Sequence, residues 1–147
     1  MQKLSELLVM TVCIFASITA SAVDWVALAE SNDDNVQVYL DIDSIKPYTK
    51  QIPLGSADSN YMSGFAHFSY LDEHEYRKKG WSYTQYYFIV DCDDNSYYTP
   101  RFNIYNSKDK VLESYHNKYF SANDFNIAFP NSLGYFVIHD MCLFSRQ

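Results

Sequence analysis

Apolar and polar residues alternate most regularly between positions 36 and 43. The apolar positions are Val36, Val38, Leu40 and Ile42, and the positions between them are Gln37, Tyr39, Asp41 and Asp43. A period of two places successive side chains on opposite faces of a β-strand, so the pattern predicts a strand with one buried and one wetter face. Trp25 to Glu30 is predicted as the strand before it, joined through the Asn- and Asp-rich turn 31–35, so the two form a hairpin.

Four further strand candidates follow the polar loop 48–60. They cover residues 61–71, Trp81–Cys92, Tyr97–Tyr105 and Val111–Tyr119. All are rich in aromatic and β-branched residues, which favour a pleated, half-buried surface. Polar turns at 91–95 and 106–110 separate the last three candidates. Strands joined by such short turns indicate an antiparallel meander.

The period changes after Pro130. Leu133, Phe136, Val137 and Met141 recur at helical spacing, and Asn131 and Ser132 are cap candidates. The charged segment 72–80 allows either a short helix or a mobile loop. The predicted fold is therefore α+β, with a single antiparallel sheet of about six strands and a C-terminal helix packed on it.

Residues 1–22 have the composition of a cleavable signal peptide. Lys3 supplies a positive start, residues 7–18 are apolar, and Ala20-Ser21-Ala22 offers small residues for cleavage. Cys13 follows a valine within the apolar run, so we do not expect a lipoprotein. We expect residues 23–147 to form one exported domain in the periplasm, in the medium or at the cell surface.

Loss of Cys13 with the signal leaves Cys92 and Cys142 as the cysteines of the mature chain. Two cysteines in an exported domain are more often bonded than free, because the compartment is oxidising. The pair would fasten the end of the long fourth strand to the end of the helix. No Cys-x-x-Cys motif favours a redox role over a structural one.

The chain carries a formal net charge of −7 at pH 7. Nucleic-acid binding depends on clustered Lys and Arg, whereas the densest basic cluster here, residues 77–79, follows three acidic residues. We therefore expect no nucleic-acid partner. The mature sequence also contains no apolar stretch of membrane-spanning length, so we expect no transmembrane segment in it.

Catalytic and metal-binding patterns are weak. The four histidines, His67, His74, His116 and His139, show no metal-ligand spacing, and no Gly-x-Ser-x-Gly motif or free cysteine supplies a nucleophile. Asp91–Asn95 is the best calcium candidate, but Ser96 and Phe102 stand where an EF-hand needs glycine and glutamate. An irregular metal site stays open there, and a polar hairpin turn is the preferred interpretation. We expect no enzyme activity, cofactor or metal.

Tyrosine is abundant, with 14 residues. Exposed tyrosines could bind carbohydrate or protein, and the candidates are Tyr83, Tyr86, Tyr97, Tyr98 and Tyr105. Alternation places Tyr86 with Phe88 on one sheet face and Tyr83 with Ile89 on the other. One face must meet the helix; a second layer or a partner would cover the other if it is also aromatic. Core packing or self-association is preferred to ligand binding, and both Trp25 and Trp81 are expected to anchor the core.

An ordered set of these features resembles the bacterial surface-adhesin protein E family. The set comprises Trp25 near the mature start, Tyr39-Leu40-Asp41 leading to Asp43-Ser44-Ile45, a long strand ending in Asp91-Cys92, and Phe129-Pro130-Asn131-Ser132-Leu133-Gly134 ahead of Cys142. The resemblance covers nearly all of the mature chain. It implies a small α+β domain with a helix packed on an antiparallel sheet.

The same resemblance implies a function in adhesion. Members of that family bind host extracellular-matrix and serum proteins, and dimerisation occurs among them, so these proteins and a homodimer are the expected partners. The expected function is an exported, non-enzymatic binding module. The alternative is a periplasmic structural or accessory protein of the cell envelope that has no adhesin activity.

Overall fold

The computed structural model describes residues 23–31, 35–57 and 59–144 of the 147-residue chain. The predicted signal peptide and Cys13 lie outside the described residues, and so do three positions of the predicted turn 31–35. Within the described ranges, no helix has both the length and the apolar character needed to cross a membrane.

Seven strands of the described ranges form one antiparallel sheet. They are β1 (Trp25–Ser31), β2 (Val36–Pro47), β3 (Tyr61–Tyr70), β4 (Tyr83–Asp91), β5 (Ser96–Tyr105), β6 (Val111–His116) and β7 (Asn126–Ile127). The first six lie side by side in chain order, and β7 pairs with the start of β5. The predicted antiparallel meander is confirmed, while the two-residue β7 was not predicted.

Asparagine and aspartate make the turns between these strands. Asn35, Asn95 and Asp109 have φ angles of 52°, 50° and 57°. Few side chains tolerate this left-handed region, and Asn and Asp are among those that do. The polar turns predicted at 91–95 and 106–110 are confirmed, and their chemistry explains why the strands reverse there.

Among the described residues, two α-helices and a short 3₁₀ helix, Ala122–Asp124, accompany the sheet. The α-helices are α1 (Glu75–Lys78) and α2 (Leu133–Phe144), so the segment 72–80 contains a short helix. The His74 ring accepts a hydrogen bond from Tyr76 N (3.0 Å) and caps α1. At the start of α2, Ser132 Oγ accepts one from Tyr135 N (3.1 Å). The C-terminal helix is therefore confirmed, with one of its predicted caps.

Strand β6 ends three residues before the predicted end at Tyr119. Asn117 N still donates to Pro100 O (2.8 Å), which continues the pairing with β5. The Asn117 side chain then accepts a hydrogen bond from Tyr119 N (3.0 Å). This local turn competes with the extended backbone and ends the strand.

The core lies between α2 and one face of the sheet. Helix α2 contributes Val137, Ile138, Met141 and Cys142, and the sheet contributes residues such as Val38, Leu40, Ala66 and Val90. A Cβ added to Gly64 would lie 3.1 Å from Met141 Cε, so this glycine allows the helix to approach β3 closely. Burial of these apolar side chains holds the helix against the sheet.

The Cys92–Cys142 disulfide is present, with a Cα–Cα distance of 5.7 Å. Cys92 follows β4 directly, and Cys142 belongs to the last turn of α2. The bond therefore joins helix and sheet at the positions that the sequence predicted.

Candidate functional site

In the part of the chain that the structure describes, the sheet face opposite α2, which we call the open face, is covered at one end only. There Tyr98 contacts the rings of Phe120 and Phe125, with centroids 4.9 and 6.0 Å away. Ala122 N donates to Pro53 O (2.9 Å), which ties the segment 117–125 to the loop after β2. Ser63 and Ile89 beneath this end are each only 1% exposed. The chain that follows β6 thus folds back over part of the face.

The other end of the open face carries a row of half-buried rings, the aromatic row. It consists of Trp25, Tyr39, His67, Tyr83 and Tyr105. The His67 ring is central and lies 5.4 Å from Trp25, 5.6 Å from Tyr39 and 4.3 Å from Tyr83. Tyr105 extends the row onto β5. The five residues come from five adjacent strands, so their alignment depends on the register of the whole sheet.

Stacking determines which part of each ring reaches the surface. Tyr83 lies between His67 and Tyr105, with interplanar angles of 20° and 14° and a centroid distance of 4.6 Å to Tyr105. Both faces of the Tyr83 ring are therefore occupied by neighbours. The rings at this part of the row present edges and hydroxyl groups at the surface rather than flat faces.

Hydrogen-bonding groups surround the row. Tyr39 Oη donates to Gln37 Oε1 (2.9 Å), and Tyr83 Oη donates to Asp109 Oδ1 (3.0 Å). Asn103 Nδ2 donates to Tyr105 Oη (3.3 Å), which faces Gln85 Oε1 at 3.5 Å. These groups hold the tyrosine hydroxyls in place and provide a polar border.

A second aromatic cluster lies beside the row. The Phe65 and Tyr87 rings are 5.0 Å apart, and the Arg101 guanidinium lies 5.2 and 5.1 Å from their centroids. A cation over aromatic rings is an attractive arrangement. Asp41 is paired with Phe65 in the neighbouring strand, and its Oδ1 is buried without a hydrogen-bond partner in the described part of the chain. Burial raises the pKa of Asp41 above its usual value.

Burial also shifts the pKa values within the row. It lowers the pKa of His67 to about 4, against an opposing effect of the Asp109 carboxylate. It raises the pKa of Tyr83 to about 12, and here the hydrogen bond and the charge of Asp109 act in the same direction. Both side chains are therefore uncharged at neutral pH.

Stability should consequently depend on His67 between pH 6.5 and 4. The folded protein binds a proton on the His67 ring less readily than the unfolded chain does. The free energy of unfolding is therefore at its full value above pH 6.5 and declines as the pH falls towards 4. We expect wild type to lose about 2 kcal/mol more than His67→Phe over that range, a figure reduced for partial exposure of the ring. Urea unfolding at several pH values measures this difference; parallel pH profiles for the two proteins would contradict it.

The five tyrosines predicted from sequence do not form one site. Tyr83 and Tyr105 belong to the aromatic row, and Tyr98 lies on the same face beneath the segment 117–125. Tyr86 and Tyr97 lie on the helix side. There they border a hollow of about 220 Å³, whose other lining residues are Phe68, Phe88, Thr99 and Gly134. This volume is below that of a typical small-molecule site.

Trp25, Tyr39 and His67 were not predicted as site residues. The alternation places Tyr39 on the wetter face of β2, but only the register opposes it to His67 on β3. Trp25 was predicted to anchor the core; it instead packs edge-on against His67 on the open face, because the odd-numbered side of β2 and β3 faces away from α2. Trp81 does pack against the core, beside Tyr76.

The candidate calcium loop forms a hairpin turn. Asp91 Oδ1 accepts a hydrogen bond from Asp93 N (3.0 Å), and Asp93 Oδ2 accepts one from Asn60 N (2.9 Å). These carboxylates stabilise the backbone of the turn. Across the described residues, no three His, Cys, Asp or Glu side chains come together as metal ligands. Of the remaining histidines, His139 contacts Asp140 (2.8 Å) at the surface, and His116 is exposed on β6.

The open face with its aromatic row is thus the best candidate for a functional surface. It combines rigid rings, fixed hydroxyls and a polar border on a sheet that a helix and a disulfide support from behind. Comparison of the chain with protein-family models, with curated proteins and with solved structures found no match.

Proposed function

We propose that this protein is an exported, non-enzymatic binding module that contacts a protein partner through the aromatic row. One observation carries the proposal: five aromatic residues from adjacent strands lie together, half-buried, on the face that α2 does not cover. Tyrosine and tryptophan supply large, rigid contact areas and dominate the binding energy of many protein interfaces. The supporting sheet would hold them in place before binding.

The ring geometry favours a protein over a carbohydrate. A sugar stacks flat on an exposed aromatic face, whereas both faces of Tyr83 are occupied by His67 and Tyr105. Ring edges and hydroxyls suit contacts with backbone and side-chain groups of a polypeptide. The border formed by Gln37, Gln85 and Asn103 adds donors and acceptors around an apolar centre, an arrangement found in protein interfaces.

Export and partner class rest on further arguments. The Cys92–Cys142 disulfide is compatible with an oxidising compartment, and residues 1–22 have the composition of a signal peptide. The resemblance to the surface-adhesin protein E family suggests a host extracellular-matrix or serum protein as the partner. A second copy of the chain and an envelope protein are the alternatives that the experiments below separate.

Simultaneous Tyr83→Ala and Tyr105→Ala substitutions should weaken partner binding about 30-fold, as expected for the loss of central aromatic contacts. The measurement is surface plasmon resonance of residues 23–147 against immobilised laminin, fibronectin, collagen and immunoglobulin. Tyr119→Ala is the matched control, because Tyr119 is 89% exposed and lies outside the row. Its binding should equal that of wild type, and circular dichroism should show that all variants are folded.

Equal losses of binding affinity in the double variant and in Tyr119→Ala would show that the aromatic row is not the binding surface. Analytical ultracentrifugation of the same proteins tests self-association, and a dimer broken by the double variant would assign the row to a second copy. Protease treatment of intact cells tests location. Protection in the periplasm, together with no binding to the panel, would favour an accessory protein of the envelope.

A further inference from the structure

Strand β6 is an edge of the sheet and is accessible along its whole length. All six of its residues, Val111–His116, are exposed, and in the described part of the chain it pairs with β5 alone. Val111, Leu112 and Tyr115 are 44%, 45% and 44% exposed, so the strand offers apolar surface as well as backbone. An edge of this kind is a template for pairing with another chain.

The hydrogen-bond pattern shows which backbone groups point outward. Asn117 N donates to Pro100 O, and the register then pairs Tyr115 with Phe102 and Ser114 with Asn103. Hydrogen-bonded and non-bonded pairs alternate in an antiparallel ladder. Tyr115 is therefore bonded to β5, whereas the N–H and C=O groups of Ser114 and His116 point away from it, towards a strand that would lie beyond the edge.

The opposite edge of the sheet is built differently. Both edge strands have one register shift, between Ala27 and Ala29 on β1 and between Val111 and Glu113 on β6, so a bulge does not distinguish them. The difference is that helix α2 packs against β1. A covering helix is one of the usual means of blocking an edge. Strand β6 has no proline, and the main contacts of α2 with the sheet are with β1 to β4.

Charge around β6 departs from that of the whole chain. The chain has a net charge of −7, yet the segment 101–118 contains four Lys or Arg residues against two acidic residues. Lys108 and Lys110 precede the strand and Lys118 follows it, all exposed. Glu113 is the acidic residue within the strand. The edge therefore has positive ends and a negative side chain near its middle.

We propose that β6 binds an extended segment of a partner protein, which adds to the sheet as a further strand, and that this segment is acidic at its ends and apolar in its middle. The outward N–H and C=O groups of Ser114 and His116 would hold the backbone of the segment. The lysines would attract its ends, and Glu113 excludes a carboxylate from its centre. Apolar side chains at the centre would pack beside Leu112 and Tyr115. This edge adjoins the aromatic row, because Val111 is paired with Tyr105, but none of the β6 residues belongs to the row.

Two synthetic peptides of roughly nine residues test the proposal, since a strand of that length matches β6 and its flanks. Both have alternating valine and threonine in the middle; one has two aspartates at each end and the other two lysines. Fluorescence polarisation should show binding of the aspartate peptide and about tenfold weaker binding of the lysine peptide at low salt. The preference should diminish as salt is added.

Ser114→Pro removes one outward N–H without removing a hydrogen bond to β5, so the domain should stay folded. Ser114→Pro should weaken binding of the aspartate peptide about tenfold or more. The matched control Ser114→Thr keeps the N–H and should bind the peptide as wild type does. Combined Lys110→Glu and Lys118→Glu substitutions should reverse the preference between the two peptides. Amide hydrogen exchange on wild type gives a readout independent of any variant: exchange at Ser114 and His116 should slow on binding.

Three outcomes would overturn the proposal. The first is unchanged exchange at Ser114 and His116 with saturating peptide. The second is equal binding of the two peptides at low salt. The third is dimerisation in the absence of peptide that Ser114→Pro abolishes, because the edge would then belong to a second copy of the chain. Failure of the proposed function at the aromatic row would leave these measurements unaffected, since they use different residues, different variants and a peptide that does not require the row.

Discussion

Replacing both Cys92 and Cys142 by alanine should lower the free energy of unfolding by about 4 kcal/mol. The disulfide joins residues 50 positions apart, and without it the unfolded chain regains the conformational entropy of a loop of that size. Alanine avoids placing a hydroxyl at position 142, which is 8% exposed. Loss of this size is a large fraction of the stability of a small domain. Urea denaturation of residues 23–147 measures it.

Reduction provides the control for this prediction. Wild type treated with dithiothreitol should unfold at nearly the same urea concentration as the double alanine variant, and the reductant should leave the variant unchanged. A variant as stable as oxidised wild type would show that packing alone secures α2. A variant much less stable than reduced wild type would instead trace the loss to the missing sulfur atoms in the core.

Met141→Ala should destabilise the protein by about 3 kcal/mol, the typical cost of truncating a large buried side chain. Met141 is 0% exposed and its Cε lies beside Gly64 on β3, where a side chain on the sheet would collide with it. The cavity would lie between helix and sheet, and Gly64 has no side chain that could fill it. Thermal and urea unfolding monitored by tyrosine fluorescence measure the change.

Leu143→Ala is the matched control, because Leu143 lies two residues further along the same helix and is 47% exposed. Alanine is at least as good a helix former as methionine and leucine, so helix propensity does not explain a difference between the two variants. We expect Leu143→Ala to lower the free energy of unfolding by less than about 0.5 kcal/mol, because the position is exposed. Comparable losses in both variants would mean that Met141 does not connect α2 to the sheet.

Most of the fold could be predicted from local signals. Strand β2 alternates apolar and polar residues, and its burial alternates in the same way from Val36 to Asp41. Asn95 and Asp109 mark turns because their side chains tolerate the left-handed backbone found there. The helical period from Leu133 to Met141 lies within α2. Each of these signals operates over a few residues, which is why a single sequence reveals them.

The candidate site depends on information that a single sequence carries poorly. The period-two alternation correctly placed Tyr83 and Tyr86 on opposite faces of the sheet. The contact between Tyr39 and His67, however, can be predicted only if the register between β2 and β3 is known. Register also shifts between Tyr87 and Ile89, where β4 meets β5. Tyr98 shares a face with Tyr83 and is nevertheless covered, because the segment 117–125 returns over it. That return is a long-range packing event with no local pattern.

The position of the disulfide also determines how the domain would respond to mechanical force. Tension applied between residues 23 and 144 would pass along residues 23–92, cross the sulfur bridge and continue from residue 142. Strands β5, β6 and β7 lie entirely within the bypassed loop. Single-molecule pulling should therefore show an extension shorter by about 170 Å than that of the reduced protein. The hairpin that carries the β6 edge would bear no direct load while the remaining strands are pulled apart.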